Sequence, residues 1–190
     1  NINSVAISHS NPNKIWVGTY DSRSIYRSID GGLSWNMSLV DNKNVRNVAV
    51  DPNNDLVVYA ATGASKDGGV YKSTDGGISW VRSGFNTFGN SNSMYVVVDR
   101  ANSQRVLADN DSSTFPSDLY QSYDGGNSWG RLFLGVVGVP TIVIDEDNSN
   151  IIYASANGNI NKSIDNGLTW LVKSSDIGVS SFRRLTQDSN

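Results

Sequence analysis

Short runs of alternating apolar and polar residues recur along the chain, separated by turn-forming residues. Residues 2–7, Ile-Asn-Ser-Val-Ala-Ile, carry the alternation of a half-buried strand. Ser10-Asn11-Pro12-Asn13 reads as a turn. Residues 14–19 and 24–28 predict a second and a third strand, and a fourth follows near Trp35. The plan then repeats. A second unit predicts strands over 45–50, 56–62, 69–73 and 79–83, turning first at Asp51-Pro52-Asn53-Asn54. A third uses 94–98, 105–108 and 119–122, with its first turn at 99–102. A fourth uses 141–144, 150–155 and 159–163, with its first turn at 145–148.

One octapeptide closes each unit, with the pattern Ser-x-Asp-x-Gly-x-Ser/Thr-Trp, called the box below. Its copies are built on Ser28, Asp30, Gly32 and Trp35, on Ser73, Asp75, Gly77 and Trp80, on Ser122, Asp124, Gly126 and Trp129, and on Ser163, Asp165, Gly167 and Trp170. The aspartates are spaced by 45, 49 and 41 residues. That period, with strand-like flanks, predicts an all-β repeat architecture, a propeller with one four-stranded blade per repeat. The blades fall at about 1–40, 41–88, 89–135 and 136–176. The box has a physical logic. An ionised Asp accepts backbone N–H groups across a tight turn. Glycine supplies backbone angles that a side chain forbids. The Ser or Thr hydroxyl closes the turn on the carboxylate, and Trp is expected to anchor it in the core.

The pattern resembles the Asp-box, or bacterial neuraminidase repeat, of sialidases, sortilin ectodomains, xyloglucanases and photosystem assembly factors. The resemblance covers nearly the whole chain through its four copies. It implies a turn between the third and fourth strands of each blade, on the face away from any active site. It does not imply one function, because the families that share it do unrelated things.

Residues 185–190 line up with 48–53, so 177–190 read as the start of a further blade. Residue 1 likewise stands at the edge of a first strand. The expectation is a segment of a larger ring of six to ten blades. A bare blade face would expose about 400 Å² of apolar surface, worth roughly 10 kcal/mol, which rivals the stability of a domain at about 5–15 kcal/mol. The open faces are therefore expected to meet the remaining blades or a second copy of the chain.

Composition narrows the function classes. The 190 residues carry a net charge of −3, which gives no electrostatic footprint for nucleic acid or an anionic membrane. No apolar run approaches the ~20 residues of a membrane span. There is no cysteine, so neither a disulfide framework nor thiol chemistry is available. The single histidine, His9, has no partner ligands or triad context. No metal or cofactor is expected. The Asn/Ser-rich, Cys-free composition goes with an extracellular or periplasmic protein.

Because the box aspartates recur once per blade, they lie blades apart and cannot work as an acid/base pair at about 5–10 Å. They read as structural. Trp16 aligns with Tyr59, Leu107 and Tyr153, which marks a repeat-wide core position rather than a sugar platform. Function is expected in the opposite loops, at 20–24, 63–68, 109–118 and 156–158 and between blades. The most acidic of them carries Asp109, Asp111 and Asp118, candidates for a cation or polar ligand, though without the calcium-loop spacing of an EF-hand. Phe85 and Phe88 either present aromatics to a glycan or partner or pack over the blade edge. The resemblance to xyloglucanases makes Asp21 a catalytic candidate, at the family's distance before Tyr26-Arg27. Arg23-Ser24 replaces the family's Gly-Gly, however, and the partner Asp of that family comes from a second propeller. A sialidase would need an arginine motif ahead of the first box, whereas Phe182-Arg183-Arg184-Leu185 follows the last. Asn36, Asn110 and Asn161 start Asn-x-Ser triplets, which so Asn/Ser-rich a chain produces by chance.

The leading reading is a non-catalytic scaffold that binds protein or glycan through the loops opposite the boxes. A fragment of a xyloglucanase-like glycoside hydrolase and an assembly factor or complex subunit are the alternatives.

Overall fold

The structure, a computed structural model, describes residues 1–20, 24–39, 44–63, 68–84, 92, 93, 95–110, 118–132, 141–156 and 159–173, with the side chains of residues 39, 118 and 156 left out. The chain is all-β and builds four antiparallel four-stranded sheets, one per repeat. The first holds β1 (Ile2–Ile7), β2 (Ile15–Thr19), β3 (Ser24–Ser28) and β4 (Asn36–Leu39). The second holds β5 (Asn44–Asp51), β6 (Asn54–Gly63), β7 (Gly69–Ser73) and β8 (Val81–Ser83). The third holds β9 (Val96–Val98), β10 (Val106–Asn110), β11 (Asp118–Ser122) and β12 (Gly130–Leu132). The fourth holds β13 (Thr141–Ile144), β14 (Ile152–Ala156), β15 (Asn159–Ser163) and β16 (Leu171–Val172). Strand order follows chain order in every sheet, and the first strands β1, β5, β9 and β13 neighbour one another in sequence. The sheets are blades of a β-propeller.

Register decides which side chains meet the next blade. Ala6 pairs with Trp16 and Trp16 with Arg27, so this row shares one face of the first sheet. The adjacent row, Val5, Val17, Tyr26 and Met37, points the other way. The core is accordingly three seams between successive sheets. Trp16 and Ile25 meet Val45, Val48, Val58 and Tyr71 in the first seam. Tyr59, Ala61 and Val70 meet Val96, Val98 and Val106 in the second. Leu107 and Leu119 meet Ile142, Ile144 and Ile152 in the third.

Two expectations are corrected. The fourth strand of the second sheet starts at Val81 and not at 79, because Ser79 belongs to the turn: its amide and hydroxyl are both held by Asp75. The box tryptophans are not core residues. Trp80, Trp129 and Trp170 are half-buried along the seams, and Trp35 is 42% exposed. Each box Trp leans toward the preceding sheet, and no described sheet precedes Trp35. Among the described residues the fully buried aromatics are Trp16 and Tyr59 on the second strands.

The seams are also tied by hydrogen bonds at the first turns. Ser8 Oγ donates to Asp55, Ser103 Oγ to Asp51 at 2.7 Å, and Ser149 Oγ to Asp99 at 2.8 Å, each joining one sheet to the next. Lys14 adds an ion pair to Asp55 at 2.7 Å.

Candidate functional site

The box turns and the first turns share one rim. Each box begins by donating an amide to the first turn of its own sheet: Gly31 to Asn13, Gly76 to Leu56, Gly125 to Gln104 and Asn166 to Asn150. Within the second box, Ser73 Oγ donates to Asp75 at 2.7 Å and accepts the Gly77 amide at 2.8 Å. The Asp75 carboxylate also accepts the amides of Ile78 and Ser79, both at 2.9 Å, and the Ser79 hydroxyl at 2.6 Å. The other copies repeat this closure through Ser34, Ser128 and Thr169. These bonds favour the ionised carboxylates. The hydroxyl of Ser34 and then its amide hold Asp30 at about 2, and Ser128 does the same for Asp124. Ser79 and Thr169 hold Asp75 and Asp165 below the usual carboxylate range. Acids kept ionised and saturated by their own turn have no proton to give and little basicity to offer.

Backbone angles explain the glycines and one exception. The second box glycine has φ between 87° and 92° in all four copies. A Cβ on Gly77 would stand 2.7 Å from Trp16 Nε1, so that position demands glycine on two counts. The preceding position has φ of 73°, 72° and 66° at Gly31, Gly76 and Gly125, and 62° at Asn166. Asn tolerates this left-handed angle, which is why the fourth box can read Asp-Asn-Gly.

The glycine carbonyls receive donors from the preceding blade. Trp16 Nε1 donates to the Gly76 carbonyl at 2.9 Å. Tyr59 Oη and Lys72 Nζ both donate to the Gly125 carbonyl, at 3.0 and 2.7 Å, with the ammonium 5.7 Å from the ring centroid. Burial pushes the Tyr59 hydroxyl well above its usual pKa, and the charges of Asp51 and Asp124 add to the effect. Sequence reading placed these aromatics in the core but missed that they are donors. The signal was an aromatic on the second strand paired with a lysine on the third, since Tyr59 faces Lys72 and Tyr153 faces Lys162 across adjacent strands.

On the opposite, loop-bearing rim, Asp109 is fully buried at the end of β10. Its Oδ1 accepts the Tyr95 amide at 2.7 Å and the Ser93 hydroxyl at 3.2 Å, which pins the segment entering the third sheet. The equivalent positions, two residues after the Trp16-type residue, are Gly18, Ala61 and Ser155. Asp118 pairs with Asn110 through the backbone. Asp21, Asp111, Phe85, Phe88 and the run 182–185 lie outside the described residues. On the first seam of this rim, Arg46 lies over the Tyr20 ring at 4.8 Å. Asn161 is buried and its amide donates to the Ala154 carbonyl, so it is closed to modification. His9 Nε2 lies 3.4 Å from Arg100. Among the described residues no three His, Cys, Asp or Glu side chains come together as metal ligands, and no helix is long and apolar enough to cross a membrane.

Folds similar to this one occur in larger proteins. An ancestral GH74 enzyme superposes with a TM-score of 0.77 at 23% identity over 94% of this chain and 25% of its own. The GH74 xyloglucanase of Xanthomonas campestris gives 0.71 at 18% identity over 92% of this chain and 30% of its own. A YCF48 protein bound to D1 peptide gives 0.67 at 12% identity over 93% of this chain and 54% of its own. At these identities the likeness establishes the fold, and the chain spans between a quarter and about half of each of these proteins. No curated protein matches the sequence. Residues 23–189 match the family model Sortilin-Vps10, described as "Sortilin, neurotensin receptor 3", and the chain belongs to that family.

Proposed function

We propose that this chain is a recognition module: a non-catalytic propeller that binds a protein or glycan through the loops opposite the boxes, in an extracellular or periplasmic setting. In this reading the sixteen box residues hold the scaffold, and the acidic loop that starts at Asp109 carries contacts. The observation that supports it is Asp109 itself. A repeat protein repeats what packing needs. A buried carboxylate standing where the other blades have Gly, Ala and Ser departs from that need, and it anchors the loop rim. One structural relative, YCF48, holds a peptide. A peptide ligand is therefore the first class to try here.

The experiment is a surface-binding screen of the immobilised chain against extended peptides and β-glucan oligosaccharides. The expected result is saturable binding of one class. Asp111→Asn should weaken it several-fold with the thermal midpoint unmoved, whereas Asp109→Asn should lower both, because the buried carboxylate that pins Ser93 and Tyr95 is lost. The glycoside hydrolase reading rests on Asp21 and makes the opposite prediction. Release of reducing ends from xyloglucan, lost in Asp21→Asn, would replace recognition by catalysis.

A further inference from the structure

We propose that the box rim carries a carbohydrate-binding pocket, set in the third seam between the third and fourth sheets. The site lies on the rim away from the loops, so the inference goes beyond recognition at those loops and does not depend on it. Described sheets flank it on both sides.

In the first two seams the preceding blade uses the box carbonyl of the next. Trp16 donates to Gly76, and Tyr59 and Lys72 donate to Gly125. The third seam departs from this. Leu107 stands where Trp16 and Tyr59 stand, and it has no donor to offer. Gln121 stands where Lys72 does, but its Oε1 is turned to Arg105 and accepts two guanidinium bonds at 3.1 and 3.0 Å. The carbonyl of Asn166, the counterpart of Gly76 and Gly125, therefore receives no donor among the described residues. The Nε2 donor of Gln121, a residue only 6% exposed, also has no hydrogen-bond partner among them. The third seam thus leaves open a donor and an acceptor of the kind that packing pairs in the second.

Between them lies a cavity of about 480 Å³, lined by Gln121, Gly130, Leu132, Asn166, Leu168 and Tyr123. Small-molecule sites span about 300–1,000 Å³. Register makes the space. Gln121 pairs with Gly130 and Leu119 with Leu132, and Leu119 packs in the third seam, so Gly130 stands on the face turned to the fourth sheet. The other sheets have Asn36, Val81 and Leu171 at this position. A Cβ on Gly130 would meet nothing nearer than the Gln121 carbonyl at 3.9 Å.

The lining selects a neutral, hydroxyl-bearing ligand. A hydroxyl both donates and accepts, so one sugar ring can accept from Gln121 Nε2 and donate to the Asn166 carbonyl. Asp124 in the wall is ionised but saturated by its own box, and Arg131 in the same wall offsets its charge. At the mouth Tyr123 is 61% and Leu168 78% exposed. The other boxes have Ile29, Thr74 and Ile164 where this one has Tyr123. An exposed phenol ring beside a leucine gives the apolar face of a sugar a surface to lie on. A peptide strand is less suited, because β12 is three residues long and offers few backbone pairs.

The test is a titration of the isotope-labelled protein with cellotriose, xylotriose, chitotriose and mannotriose at millimolar concentrations, read by amide NMR. The expected result is a saturable shift of the Gly130 and Asn166 backbone signals and the Gln121 side-chain signal with at least one sugar. Gly130→Val copies Val81 and fills the cavity, and it should abolish these shifts. Tyr123→Thr copies Thr74 and strips the mouth, and it should weaken binding several-fold at an unchanged thermal midpoint. Tyr123 is exposed, so its variant tests the site even where Gly130→Val fails to fold. Silence with every sugar overturns the proposal, and so does sugar binding that both variants retain. Sugar shifts confined to the rim of Asp109 would place the ligand at the loops and overturn this site. An extended peptide that moves the Gly130 and Asn166 signals where the sugars do not overturns the carbohydrate assignment.

Discussion

Trp16 Nε1 lies 2.9 Å from the carbonyl of Gly76, sixty residues further on, and this bond joins the core of one blade to the box of the next. It explains how a turn motif that looks local serves a long-range contact. Trp16→Phe keeps most of the buried ring but leaves the carbonyl without its donor. The expected loss is about 1–3 kcal/mol, against about 3–5 kcal/mol for Trp16→Ala, which also opens a cavity. Urea unfolding measures both. A Trp16→Phe variant as stable as the unmodified chain would mean that the hydrogen bond adds nothing to the packing.

The two glycines of a box should respond oppositely to substitution. Gly77→Ala forces a side chain onto φ 87° and into the Trp16 indole, and more than 1 kcal/mol is expected to be lost, roughly the scale of strained backbone. Gly31→Asn copies what the fourth box already has at Asn166 and should shift stability by no more than about 0.5 kcal/mol. Thermal melting of the two variants separates them. A large loss in Gly31→Asn would show that the first box is not equivalent to the fourth.

The repeat, the strands and the inner location of Trp16 and Tyr59 were legible because each follows from a period visible in the sequence. The box tryptophans were misread for a physical reason. Trp16 and Trp80 are equally apolar as letters, and only the stacking of one sheet on the next decides that the second-strand residue is enclosed while the box residue caps the seam. Ser83 and Leu132 illustrate the same limit. They occupy equivalent positions eight residues after the box Asp, and one donates to Gly126 while the other packs at Gly167. Sequence alternation finds a face, but it does not name the atom across it.

Acid should loosen the boxes together. The ordinary Asp value is 3.8, and Asp30 and Asp124 are depressed to about 2 by the hydroxyls and amides of Ser34 and Ser128. Groups with depressed folded values contribute stability that is full above 3.8 and is lost as pH falls toward 2. The melting temperature is thus expected to be flat above about pH 5 and to drop steeply below about pH 4. Asp75→Asn should lower the plateau and flatten the drop, because one of the four titrating carboxylates is gone. A variant with the same slope as the unmodified chain would assign the acid sensitivity to other groups.

The third seam depends on a buried ion pair. Arg105 and Asp99 meet at 3.0 Å with side chains 3% and 2% exposed. Gln121 accepts two further bonds from the guanidinium at 3.1 and 3.0 Å, and the Ser149 carbonyl of the next sheet accepts another. Asp99 also accepts the Ser149 hydroxyl, so both partners hold the fourth sheet to the third. Burial makes such a pair costly to break on one side, since the remaining charge keeps its desolvation penalty without its counterion. Asp99→Ala is therefore expected to cost about 3–5 kcal/mol. Removing the stranded charge as well, in Asp99→Ala with Arg105→Met, should recover part of that loss. A double-mutant cycle in urea reads the coupling directly. If the double variant is less stable than Asp99→Ala alone, the arginine holds the seam through Gln121 and Ser149 rather than through its ion pair.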